Sequence, residues 1–223
     1  MSIEIYLLLV PLGIALLDWI AIARKWEKIG FVTKPGVIIA LLVWLWTIAG
    51  FQGSLTWFAL GLVFSLIGDI FLMLPRQQFI SGLVAFALAL VCYIIGFNLV
   101  LPALALPDVL VALLVGITSF QIYRRISMAL VRNNQHAMQF PILVYSLVIT
   151  IFLLSTLLIL TRPGWKVGAA LACSAGGLLI YCSEVLLAWN RFVTPLPHGQ
   201  LVNRILYQLG QVFLILGAAF QFG

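Results

Sequence analysis

Eight long runs of this chain are apolar almost throughout: residues 3–23, 35–50, 55–74, 79–100, 108–123, 139–160, 166–189 and 205–222. About 20 apolar residues at 1.5 Å rise per residue cross a ~30 Å hydrocarbon core. Lipid offers no partner to an unpaired backbone N–H or C=O, so a single apolar run meets that environment as a helix. The expected fold is therefore all-α, a polytopic membrane protein of eight transmembrane helices forming one integral membrane domain over residues 1–223. Only 8% of the residues are charged, far below the ~25% of soluble domains, and no stretch remains for a soluble domain. The divisions fall at chain breakers: Gly53, Pro75, Pro102 with Pro107, Pro163-Gly164, and Pro195 with Pro197. The second run is short, and the LPALALPD connection is the least sharply marked boundary. The first run, beginning at Ile3, has no basic segment before it and no small-residue cleavage site after it, so it reads as a retained helix.

The net charge of +6 is spread through short loops, which argues for topology rather than nucleic acid as its role. With eight spans, Arg24, Lys25, Lys28, Lys34, Arg76, Arg124, Arg125, Arg132, Arg191 and Arg204 fall on one side and only Arg162 and Lys166 on the other. The basic side is expected to be cytoplasmic, with both termini on the non-cytoplasmic side. Trp19, Trp26, Trp57, Trp165 and Trp189 lie near span ends, as an interfacial aromatic belt requires. Cys92, Cys173 and Cys182 all lie within spans and read as reduced, packed thiols rather than a disulfide framework.

Against this background two acids stand out: Asp69 in LVFSLIGDIFLML and Glu184 in GGLLIYCSEVLLAW. An ionisable side chain at membrane depth costs at least ~2.5 kcal/mol and must face the protein interior or a wet cavity. Spans one, three and seven run in the same direction, and Asp18, Asp69 and Glu184 each sit about six residues, or ~9 Å, before the helix exit. The three acids are thus expected in one layer, within reach of the long side chains of Lys34 and Arg191. Laying Asp69 on Glu184 places Gly61 on Gly176 and Leu72 on Leu187, which suggests a parallel four-plus-four repeat.

Ser65 precedes Asp69 by one helical turn on the same face, and Gly68 permits close approach of a neighbour. Ser183 precedes Glu184. Two carboxylates in an apolar cavity can divide into an acid and a base. The alternative is that they form ion pairs with Lys34 or Arg191 and merely pin helices together, and that Asp18 pairs with Arg24 or Lys25. Thr33-Lys34-Pro35-Gly36 reads as a helix start, with Thr33 near the cap and Pro35 in the first turn. Its free N–H groups and Lys34 would then form an anion site suited to a lipid phosphate, or else Lys34 is an ordinary topology anchor. His136 and His198 lie in loops without metal-ligand spacing, so no metal and no cofactor is expected. Without an intramembrane histidine, a Ser-His-Asp hydrolase is disfavoured.

Several segments, in order, resemble the YhhN/TMEM86 family of lysoplasmalogenases. They are Lys34-Pro35, FSLIGDIFLMLP from Phe64 to Pro75, Phe86 and Tyr93, Pro141 with Tyr145, Ser183-Glu184 with Leu187-Ala188, Arg191-Phe192, and Tyr207 with Gln211. Two positions depart from the family pattern: Glu184 stands where Asp is frequent, and Leu90 where span four often carries a histidine. The first keeps the carboxylate, whereas the second argues against an essential span-four histidine here.

The resemblance implies a membrane-embedded hydrolase that cleaves the vinyl ether bond of lysoplasmalogens, releasing a fatty aldehyde and a glycerophosphoethanolamine or glycerophosphocholine. Such a reaction needs an acid, a base and a stabilising negative charge, as glycosidases do. Glu184 would donate the proton while ionised Asp69 stabilises the cation and positions water, or the two would exchange roles. The residues expected to bind substrate are Lys34, Arg191, Asp18, Ser65, Ser183, Tyr93, Tyr207 and Gln211. Expected partners are the lysophospholipid and membrane lipids, with no nucleic acid; the sequence carries no oligomer signal. A proton-coupled transporter, a lipid-binding protein and a hydrolase of another lysolipid are the alternatives. The compact chain lacks organelle retention signals and points to a bacterial inner membrane, with the endoplasmic reticulum as the alternative and the active site toward the cytoplasm.

Overall fold

Apolar surroundings leave the backbone of each span one solution, and the chain adopts it: in the computed structural model, which describes residues 6–74, 78–100 and 105–223, the long elements are helices throughout. They are α1 (Leu9–Ala23), α2 (Glu27–Ala49), α3 (Ser54–Met73), α4 (Phe79–Phe97), α5 (Leu106–Arg132), α6 (Gln139–Leu157), α7 (Val167–Phe192) and α8 (Gly199–Phe222). Among the described residues there is no strand. Helices α2 to α8 are long and apolar enough to cross a membrane, and α1 is apolar but shorter over its described length. The chain is an all-α, multi-pass membrane protein. The expected start of the first span at Ile3, the breakers Pro75 and Pro102, the loop charge Arg76 and the first half of the LPALALPD connection lie outside the described residues. The reversal between α2 and α3 uses Gly50 and Gly53 at φ of 66° and 53°, a region open to glycine without steric penalty.

Three helix boundaries correct the sequence reading, and each changes the site. Helix α2 begins at Glu27 rather than Pro35, so Pro35 lies inside it and the second span is not short. Proline has no N–H to give the carbonyl of Phe31, yet residues 27–34 still gain more by closing their other backbone bonds than by remaining extended. The anion site expected at Lys34-Pro35 therefore has no helix start to supply it. Helix α5 continues to Arg132, placing Arg124, Arg125 and Arg132 on the helix. Helix α8 begins at Gly199, so Arg204 belongs to its second turn and not to a loop. All three cysteines are free; Cys92 and Cys173 are buried as expected, but Cys182 is exposed.

Helices α7 and α8 form the most extensive pairing, followed by α3 with α4. Both depend on close approach at glycine. A Cβ on Gly176 would stand 2.5 Å from the Leu214 nitrogen and 2.7 Å from the Gly210 oxygen, and one on Gly68 would meet the Phe86 ring at 2.7 Å. Small residues that let helices approach this closely supply the dispersion contacts that hold a bundle together in lipid. Helix α5 is different: it packs on α6 and α7 and is the least buried of the membrane-length helices.

Candidate active site

Helix α3 presents Ser65 and Asp69 one turn apart, and the Phe86 ring from α4 occupies the space that Gly68 leaves beside them. The Asp69 carboxylate is fully buried. Lys34 of α2 brings its Nζ to 2.8 Å from Oδ1, and the hydroxyl of Tyr207 on α8 donates to Oδ2 at 3.2 Å. One turn further along α8, Gln211 accepts from the Tyr93 hydroxyl at 2.8 Å and donates to Ser65 Oγ at 3.3 Å. Ser65, Tyr93, Tyr207 and Gln211 are thus gathered around Asp69 by three helices. Lys34 is 8% exposed and committed to this ion pair.

Asp18 occupies a separate, fully bonded junction. Its carboxylate accepts from Thr33 Oγ1 at 2.6 Å, from Arg204 Nη1 at 2.9 and 3.2 Å, and from Gln208 Nε2 at 2.8 Å. The Trp19 indole completes it by donating to Gln208 Oε1 at 2.6 Å. The partner of Asp18 is therefore Arg204, not Arg24 or Lys25, and the half-buried Trp19 is tied to this junction. Residues 204, 207, 208 and 211 recur at the spacing of a single helix face. That spacing was the available signal for Arg204 and Gln208, which residue-by-residue reading missed.

Glu184 faces the other way, into a narrow cavity of about 40 Å³ between α4, α5, α6 and α7. The walls are mostly apolar and include Phe79, Leu83, Ile126, Ile142 and Ile149; the residues with polar groups are Glu184, Tyr145, Ser119, Tyr123, Tyr181, Ser146 and Thr150. Tyr181 and Ser119 bond each other at 2.8 Å. The cavity has room for one or a few waters. Among the described residues Glu184 makes no ion pair, although it lies within electrostatic reach of Asp69, Lys34 and Tyr207. The two acids therefore sense each other without sharing a bond.

The remaining expected site residues flank this cavity. Ser183 points to α8, where its Oγ donates to the Asn203 carbonyl at 3.1 Å and Asn203 Nδ2 returns bonds to its O and Oγ at 2.6 and 3.0 Å. It joins two helices and does not reach the cavity. Arg191 is exposed and stacks its guanidinium 3.8 Å over the ring of Phe79, a residue of the cavity wall. Among the described residues no group of three His, Cys, Asp or Glu gathers in a way that could hold a metal.

Residues 29–218 match the YhhN family. The chain belongs to that family. Within the YhhN match lie Lys34, Asp69, Tyr145, Glu184 and Tyr207, whereas Asp18 and Trp19 precede it. Relatives named lysoplasmalogenase TMEM86B include the mouse protein, 30% identical over 204 residues that make up 90% of this chain and 79% of the relative. The rat protein is 30% identical over 81% of this chain and 69% of its own length, and the human protein 30% identical over 81% and 71%. No solved structure matches the chain.

Proposed function

We propose that this YhhN-family protein hydrolyses the vinyl ether bond of lysoplasmalogens, with Glu184 as the proton donor and Asp69 as the stabilising charge. The observation that carries the reading is the unequal treatment of two buried acids: Asp69 has a paired cation in Lys34, while Glu184 lines a cavity and has no such partner among the described residues. The names of the mammalian relatives, which denote lysoplasmalogenases, support the substrate class.

In this mechanism the proton on Glu184 passes to the outer carbon of the alkenyl double bond, whose π pair forms the new C–H bond. The positive charge that develops beside the ether oxygen is favoured by the Asp69 charge acting through Tyr207, whose hydroxyl lies within electrostatic reach of both acids. Water adds to the cation and returns its proton to Glu184. The hemiacetal then collapses to the fatty aldehyde and the glycerol hydroxyl of the leaving headgroup. General acid catalysis of this kind contributes about 10²–10⁴ in rate.

The headgroup phosphate is assigned to Arg191, which stands exposed over a residue of the cavity wall. Lys34, already paired with Asp69, keeps that acid charged rather than holding phosphate. With the basic side of the chain taken as cytoplasmic, the cavity is reached from the cytoplasmic leaflet. Purified protein in detergent, given a 1-alkenyl lysophospholipid and no membrane gradient, should release free aldehyde, and Glu184→Gln should abolish the release. Binding without turnover would favour a carrier, and cleavage of only the 1-acyl analogue would reassign the substrate.

A further inference from the structure

The four buried tyrosines of the chain are of two kinds. Tyr93 donates to Gln211, Tyr207 to Asp69, and Tyr181 shares a bond with Ser119. The hydroxyl of Tyr145 is equally buried but has no hydrogen-bond partner of good geometry. A phenolic oxygen removed from water and left unbonded is destabilising, and phenylalanine would fill the same space without that cost. A use for the hydroxyl beside a polar neighbour would offset that cost.

Its surroundings identify that use. Tyr145 and Glu184 line the same cavity from α6 and α7, and the hydroxyl lies within electrostatic reach of the carboxyl. Of the other hydroxyls in that cavity, Tyr181 and Ser119 share one bond, and Thr150 donates to the Ser146 carbonyl. Tyr145 is the buried hydroxyl that lacks a well-formed bond and interacts with the acid.

We propose that Tyr145 is the positioning residue of Glu184: its O–H donates to one carboxyl oxygen and keeps the other turned toward the substrate. The inference rests on the reading of Glu184 as proton donor. Before transfer, the bond selects one orientation of the carboxyl. When the Glu184 proton has moved to the alkenyl carbon, the same O–H stabilises the carboxylate left behind, and the bond relaxes when water returns a proton to Glu184. Tyr145 keeps its own proton throughout. It acts through Glu184, and a bond that strengthens as charge develops favours the transition state over the ground state.

Tyr145→Phe should lower kcat about tenfold, the value of one good hydrogen bond to a developing charge, with KM within about twofold of the parent. The thermal midpoint should not fall, because an unbonded buried hydroxyl is removed. In a Glu184→Asp background, where the shorter side chain withdraws the carboxyl, the same substitution should change kcat by less than about twofold, since the effects of coupled residues are not additive. An equal fall in both backgrounds, or none in the parent, overturns the proposal. A second measurement is independent of turnover. The infrared difference between the parent and Glu184→Gln isolates the Glu184 carboxyl band, and Tyr145→Phe should move it. An unmoved band overturns the proposal. A moved band in a protein that releases no aldehyde upholds the contact and overturns the hydrolase reading instead.

Discussion

The two acids lie within one electrostatic neighbourhood but inhabit opposite kinds of interior. On the side of α2, α3 and α8, Asp69 has a lysine, a tyrosine and, through neighbours, a glutamine, a second tyrosine and a serine arranged around it. On the side of α4 to α7, Glu184 faces an apolar cavity whose unbonded hydroxyl belongs to Tyr145. The side that holds the ion pair resembles a structural core, and the side of the cavity has the freedom that a proton transfer requires. A buried carboxylate held by a cation and a hydroxyl is costly to protonate or move, whereas one that faces a cavity can exchange a proton with what enters.

The largest effect that would sharpen this contrast is at Glu184. Replacing it with glutamine should reduce aldehyde release by about 10²–10⁴ while leaving the protein folded by size-exclusion profile and circular dichroism. A folded variant with full activity would break the contrast outright. Next comes Asp69→Asn, which strands Lys34 as an unpaired buried charge. It should destabilise the protein by about 3–5 kcal/mol, read as a fall in thermal midpoint in detergent. Combining it with Lys34→Met should recover much of that stability without recovering activity. Recovery of both would reduce the pair to a structural clamp.

At the Asp18 junction, Asp18→Asn should cost about 1–3 kcal/mol through the weakened bonds to Arg204, Thr33 and Gln208, with kcat unchanged. A large loss of kcat in a stable Asp18→Asn protein would extend the active site to α1. The smallest effect is expected at Arg191, where alanine should raise KM roughly two- to tenfold at constant kcat, as befits an exposed charge contact to a headgroup. An unchanged KM would remove Arg191 from substrate binding and leave it as a partner of the Phe79 ring.

Much of the candidate site is legible in the sequence. Asp69 and Glu184 were conspicuous because charge is rare in their spans, and Ser65, Tyr93, Tyr207 and Gln211 converge around Asp69 in the structure. The misreadings have physical causes. Proline favours the first turn of a helix, so Pro35 reads as a helix start in sequence, but α2 continues through it. Arg204 reads as a loop charge in sequence because the apolar run begins after it, whereas the helix begins earlier and carries it to Asp18. Ser183 was grouped with its neighbour Glu184, although adjacent residues on a helix point about 100° apart, and it bonds to α8 instead.

By itself the sequence determined the all-α membrane architecture, the approximate positions of the spans and the presence of two acids at depth. These follow from local rules, since lipid forces each apolar run to satisfy its own backbone. Only the tertiary structure decided which acid received the lysine, which faced the cavity, and that Tyr145 stands beside it with its hydroxyl unbonded. Those outcomes depend on which faces of distant helices meet, and a side chain's partner across a bundle is set by packing rather than by its neighbours along the chain.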